Sequence, residues 1–250
     1  MSRRILFLPL LVLFLLSAKN VDYVQDCLKE AGGGTLYTRV ETVDWSFSLS
    51  RASEEGVVTW HGRQRLKRDG NVFRIREDLM TPEGEWTVWV GSSPWVEHNG
   101  VAVTESQVRD ARVEETRRRA FWTLAPFSLL VPTRGGRYLG SAYFNNRLAR
   151  RIELDPRPES LIALPDPIIL HLDTDVPRLR GVTCGTGDES ESFLFEGHEL
   201  HQNLLTTAGV WTRFNAEGKR VEVLRIQDTL FNSYIDDTVM TASAQIFQGE

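Results

Sequence analysis

The chain has 250 residues, of which 41% are hydrophobic and 25% charged, with a mean hydropathy of -0.26 and a formal net charge of -5. This balance excludes a disordered chain and a multi-span membrane protein, and the acidic surplus argues against a nucleic-acid partner. Seven Trp and twelve Phe against three Met supply bulky apolar surface for a large core.

Arg3 and Arg4 precede an apolar run from Ile5 to Leu16, and Ser17-Ala18 then lead into Lys19-Asn20. This is the pattern of a secretory signal peptide, with cleavage expected after Ala18. The run is shorter than the roughly 20 residues that span a bilayer. A retained anchor is the alternative, since Leu16 is a poor residue three positions before the cut. Val24-Gln25-Asp26-Cys27 lacks the small residues that precede a lipidated Cys. Cleavage would leave residues 19–250 as one exported domain with a net charge of -7. In an oxidising compartment Cys27 and Cys184 are either bridged or two separate small hydrophobes, the first on a helix and the second in a Gly-rich loop.

Asn20 is placed to cap a short helix carrying Val21, Val24, Cys27, Leu28 and Ala31 at helical spacing, with Gly32-Gly33-Gly34 as its stop. The glycines follow a helix and no Gly-Lys-Ser/Thr comes after them, so they are not a phosphate-binding loop. From Thr35 the period changes to two. Val43, Trp45, Phe47 and Leu49 alternate with polar residues; Val58 to Lys67 is a second strand, turned at Asp69-Gly70 into Val72 to Glu77. Trp86, Val88 and Val90 form another, and Trp86 and Trp89, oddly spaced, point to opposite faces, with Trp86 on the apolar one. Asn99-Gly100 joins Trp95–His98 to Val101–Val103 as a hairpin.

A helix is predicted over Glu105 to Leu124, with Ser106 as its cap and Pro126 ending it. Strands are then predicted at Tyr138–Phe144, Ile152–Leu154, Ile168–Leu172, Phe193–Phe195, Val210–Phe214, Val221–Ile226 and Val239–Phe247, with Asp155–Asp166 as a long loop. The fold class is mainly β, an antiparallel meander with a few helices.

This order of elements resembles the periplasmic lipoprotein carriers and outer-membrane lipoprotein-sorting proteins. The resemblance rests on Gly62 to Ile75, with Arg65-Leu66-Lys67-Arg68 before Asp69-Gly70-Asn71, on Phe121 to Leu130 at the helix end, and on Gly209 to Phe214, Glu222 to Asp228 and Asn232 to Asp237. What it implies is an incomplete, curved antiparallel β-barrel with helices covering its concave face. The implied function is an exported monomeric carrier of lipid or lipoprotein acyl chains, passing cargo between membrane-associated donor and acceptor proteins, without cofactor or catalysis. The residues agree with it: a sheet with one face of Trp, Phe and Val must cover that face with helices, lipid or both.

The expected lining or lid comprises Trp45, Phe47, Trp60, Phe73, Trp86, Phe121, Trp122 and Phe127; the alternative is that these are core. Arg63, Arg65 and Lys67 are candidates for headgroup or partner contact, against a plain solvated face. A protein-interaction module of the same fold with a filled core is the competing reading. Enzyme motifs are weak. His198-Glu199-Leu200-His201 has the wrong spacing for a helical zinc site, Asp173/Asp175 and Asp236/Asp237 read as turns, and no Gly-x-Ser-x-Gly is present.

Overall fold

The computed structural model describes residues 23–32, 39–54, 56–70, 72–129, 136–154 and 164–241. The predicted signal peptide, the Gly33-Gly34 stop and most of the Asp155–Asp166 loop lie outside them. Among the described residues no helix is long and apolar enough to cross a membrane.

After a short helix α1 (residues 23–30), the first half is a meander of β1 (Thr42–Ser53), β2 (Gly56–Asp69), β3 (Val72–Thr81), β4 (Gly84–Val90), β5 (Trp95–His98) and β6 (Val101–Ala102). The helix α2 (Ser106–Thr123) follows. The second half is a meander of β7 (Gly136–Phe144), β8 (Arg147–Leu154), β9 (Ile168–Asp173), β10 (Leu179–Cys184), β11 (Glu191–His201), β12 (Leu205–Phe214) and β13 (Arg220–Phe231). All thirteen strands form one antiparallel sheet in the order β6-β5-β4-β3-β2-β1-β13-β12-β11-β10-β9-β8-β7. The two meanders meet at a β1–β13 seam, while β6 and β7 are the outer edges and do not pair. The sheet is therefore an incomplete barrel, as the sequence predicts.

The chain leaves one edge at β6 and re-enters at the other at β7, so its connection must cross the sheet. α2 makes the crossing on the concave side. Its 18 residues span about 27 Å, comparable with the roughly 24 Å covered by the five strand spacings from β4 to β12. Contacts advance along it from the first meander to the second: Arg112 lies over Trp86 of β4, Thr116 and Arg119 reach β3 and β2, Trp122 stacks on Phe193 of β11, and Trp211 of β12 donates to Thr123. The first turns are largely exposed, whereas Arg119 through Thr123 are buried in sequence, because the helix descends into the trough rather than lying on it. Leu124 ends it and Pro126 follows, as predicted; Glu105 rather than Ser106 is the N-cap, with no side-chain capping bond.

Two expectations are corrected. Cys184, expected in a Gly-rich loop, ends β10, a strand buried on both faces, so alternation is absent. Gly181 in it lies under Phe144, whose ring crosses from β7, and a Cβ there would overlap that ring and the Phe193 carbonyl. Second, the predicted strand at Val239 is a 3-10 turn, Asp237–Met240, capped by Asp236 accepting from the Thr238 N–H; the rest of that strand, from residue 242, lies outside the described residues. Trp86 and Trp89 face opposite sides, as expected, and both are buried, because Arg76 and the Val239 carbonyl cover Trp89 from outside.

Cys27 and Cys184 are both free and buried, and burial pushes each thiol up to about 12. His171, stacked under Phe144, and His198 are held neutral: burial, with Arg151 or Arg178 adding to it, lowers each to about 4. An unfolded histidine protonates near pH 6.5, so their stabilisation is complete above that pH and is lost as pH falls toward 4. Urea midpoints should fall between pH 7 and pH 4.5 by the equivalent of roughly 2 kcal/mol for each histidine, with a shallower decline in His171→Gln. Gly181→Ala should destabilise by about 2–3 kcal/mol in the same assay through overpacking, while Gly70→Ala, with nothing near its Cβ but a positive φ, should be milder.

Candidate functional site

The inward-facing residues of β1 are Val43, Trp45, Phe47 and Leu49, all buried. Gly62 of β2 has no side chain because the Phe47 ring occupies that space. Trp86 and Val88 of β4, Phe193 and Phe195 of β11 and Trp211 of β12 complete the apolar trough. α2 drives Phe121 and Trp122 into it, and Phe127 follows in the turn after the helix with no exposed surface. The structure thus brings Trp45, Phe47, Trp86, Phe121, Trp122 and Phe127 into one cluster. Trp60 and Phe73 are half-buried at its margins, roofed by the guanidiniums of Arg51 at 4.7 Å and Arg68 at 4.9 Å.

Beneath α2 the trough holds a polar cluster that sequence reasoning missed. Glu77 of β3 is fully buried and accepts from both Arg119 Nε, at 2.8 Å, and Arg119 Nη2. Thr116 Oγ1 donates to the same carboxylate at 2.9 Å, and Gln64 of β2 donates to it and to the Thr116 carbonyl. Burial works against the Arg119 charge, but Glu77 more than offsets it, and the guanidinium's pKa stands above its ordinary value. A ladder of ion pairs continues outward: Glu115 to Arg51 at 3.2 Å, Arg51 to Glu222 at 3.0 Å, and Glu222 to Arg213 at 3.4 Å. Burial opposes the Glu115 charge, yet Arg51, Arg119 and Arg112 hold its carboxyl below the usual range. The signal was present in the sequence: Gln64 and Glu77 stand at inward positions and face each other directly across β2 and β3.

Little space remains where this ladder meets Phe193 and Trp211, none of it open to water. Beside α1, a gap lined by Cys27, Pro126 and His198 holds about 10 Å³. Polar groups remain without partners among the described residues, however. The indole N–H groups of Trp45, Trp86 and Trp122 and the Gln64 carbonyl are buried and unpaired, as is that of Trp60. Native interiors rarely leave such groups unmatched.

The trough is uncovered at one end. Tyr138 and Tyr143 of β7 pair across the strands with Ile152 and Leu148 of β8, and Ile152 belongs to the core, so all four lie on the concave side. Tyr143 is 78% exposed, Leu148 46% and Tyr138 40%. Arg150, on the same face, lies over the Tyr23 ring of α1.

The predicted cations are on the convex face and engaged. Arg63 makes a bidentate pair with Asp44, Arg65 pairs with Asp78, and Lys67 holds Asp237 at 2.9 Å and the Ile235 carbonyl at 3.1 Å. The other motifs do not converge. His198 and His201 are held separately, the latter by Thr207, Asp173 pairs with Arg180, and among the described residues no group of three or more His, Cys, Asp or Glu side chains is placed to hold a metal.

No family model and no curated protein matches this chain. Solved structures do. A domain described as an outer membrane lipoprotein-sorting protein from Vibrio parahaemolyticus is similar with a TM-score of 0.55 and 10% identity, over 93% of this chain and 99% of that one. A DUF1329 family protein from Desulfovibrio piger gives a TM-score of 0.58 and 10% identity, over 91% and 98%. A LolA superfamily protein from Nitrosomonas europaea gives 0.46 and 8%, over 89% and 97%. At so low an identity the first two likenesses speak to architecture, and the chain has the fold of the outer-membrane lipoprotein-sorting domains.

Proposed function

We propose that this protein is an exported, non-enzymatic carrier of lipid or lipoprotein acyl chains, described here with its trough closed by α2. The reading is carried by the trough: an apolar concave face roofed by one helix, with four indole donors, on Trp45, Trp60, Trp86 and Trp122, that have no acceptor. An acyl ester brings what those residues lack, hydrocarbon for the rings and carbonyl oxygens for the N–H groups. Each methylene moved out of water contributes about 0.8 kcal/mol, so one chain of a dozen methylenes gains on the order of 10 kcal/mol gross. That is enough to compete with the packing of one helix. Tyr138, Tyr143 and Leu148 form the entry strip, and the lipoprotein-sorting neighbour supports the same class of cargo. Native mass spectrometry of the chain purified after export, followed by organic extraction, should release a phospholipid or acylated peptide. Leu148→Glu should abolish that species without altering the melt, since Leu148 is a rim residue.

The filled-core interaction module is the second reading, favoured by the buried Glu77–Arg119 pair that fixes α2 in place. The two separate on one variant. Replacing both charges, Glu77→Gln with Arg119→Met, is near neutral in stability because it leaves no buried charge unpaired. In a carrier it should loosen the roof and raise uptake of a diacyl probe several-fold, whereas a module should take up none in either form. Glu77→Ala alone leaves buried Arg119 with only Glu115, 3.7 Å away, and should cost about 3–5 kcal/mol in urea unfolding.

A further inference from the structure

The convex face holds cations without a carboxylate to answer them. Arg63, Arg65 and Lys67 are matched by Asp44, Asp78 and Asp237. Arg220 and Arg225 of β13 are exposed and make no ion pair among the described residues. They flank a depression of about 200 Å³ lined also by Ser50, Val57, Val221 and Val223. Glu222 borders it too, but its carboxylate is only 4% exposed and is bound to Arg51 and Arg213 on the inward side. The depression is thus cationic at its rim, hydroxylic on one wall and aliphatic on the others.

Size and lining select the ligand. The volume is below the roughly 300 Å³ at which pockets for drug-sized molecules begin, so it takes one small anionic group and not an acyl chain. Its walls carry no aromatic residue, whereas protein-binding hot spots are rich in Trp and Tyr. Val57, 67% exposed near the tip of the β1–β2 hairpin, stands at its edge. An aliphatic tip beside unmatched arginines suits the boundary between headgroups and acyl chains of an anionic bilayer.

We propose that this depression binds the phosphate of an anionic phospholipid headgroup and seats the convex side of the β1–β2 hairpin and β13 on a lipid surface. It is separate from the trough and holds whether or not the trough takes cargo.

The test is co-sedimentation of the full chain with phosphatidylcholine vesicles, with and without phosphatidylglycerol. The wild type should bind the phosphatidylglycerol vesicles alone. The double variant R220S/R225S should lose about ten-fold or more in partitioning, with an unchanged melt because both residues are exposed. R109S/R147S, one half-exposed and one exposed arginine elsewhere with the same change in net charge, should bind as the wild type does. No vesicle binding by the wild type, undiminished binding by R220S/R225S, or an equal loss in R109S/R147S would each overturn the proposal. Inorganic phosphate distinguishes a free-anion site: amide shifts at Val221 and Val223 that saturate with phosphate, while vesicles leave them unmoved, would also overturn it.

Discussion

The buried pairing of Glu77 with Arg119 is the constraint on which the rest of the molecule depends. An open sheet whose chain must pass from one edge to the other needs a crossing, and the crossing here is a helix that is apolar almost all round in its last turn. Hydrophobic burial is non-directional and would let such a segment rotate or slip by a turn. A bidentate salt bridge with Thr116 and Gln64 around it has one geometry. Ion pairs of this kind add little net stability compared with well-packed apolar residues, but a charge left alone in the interior is expensive. The cluster therefore acts against wrong placements of α2 more than in favour of the right one.

The two faces of the sheet solve different problems. Inside, β1 to β5 and β8 to β13 give their large side chains to one cluster, continuous across the seam. Outside, β1 to β3 carry alternating acidic and basic residues, so that Asp44, Arg63, Arg65, Asp78 and Arg76 form a cross-strand lattice. The C-terminal turn uses the same lattice: Lys67 and Arg74 hold Asp237, while Arg76 and Trp89 donate to the Val239 carbonyl. A tryptophan that faces away from the core is thereby sealed.

Alternation made the meanders legible from sequence, because Trp45, Phe47 and Leu49 separated by serines leave only one face to bury. Pro126 marked the end of α2 for an equally local reason. What was illegible depends on neighbours distant along the chain. β10 has no alternation because Phe144 covers its outer side, and Val239 is no strand because Asp236 captures the Thr238 N–H first. Arg117, Arg118 and Arg119 are consecutive, but a helix separates successive residues by about 100°. Arg117 stays on the surface with Glu114, Arg118 turns to Glu191, and only Arg119 enters the trough. The aromatic residues that cluster under α2 are legible from alternation, but the helix above them and the charges beneath it require the fold.

The β1–β13 seam has a consequence for the order of assembly. It joins residues as distant along the chain as Val43 and Phe231, so β1 offers an open edge until β13 has been made. Up to that moment the first meander is a two-edged ribbon whose apolar side has neither α2's far contacts nor β11 and β12 to lie against. Pairings this distant form slowly, and unpaired edges invite association with other chains. β13, the last strand among the described residues, is thus the one that closes the seam, and until it pairs the first meander keeps an edge and an apolar face open to other chains.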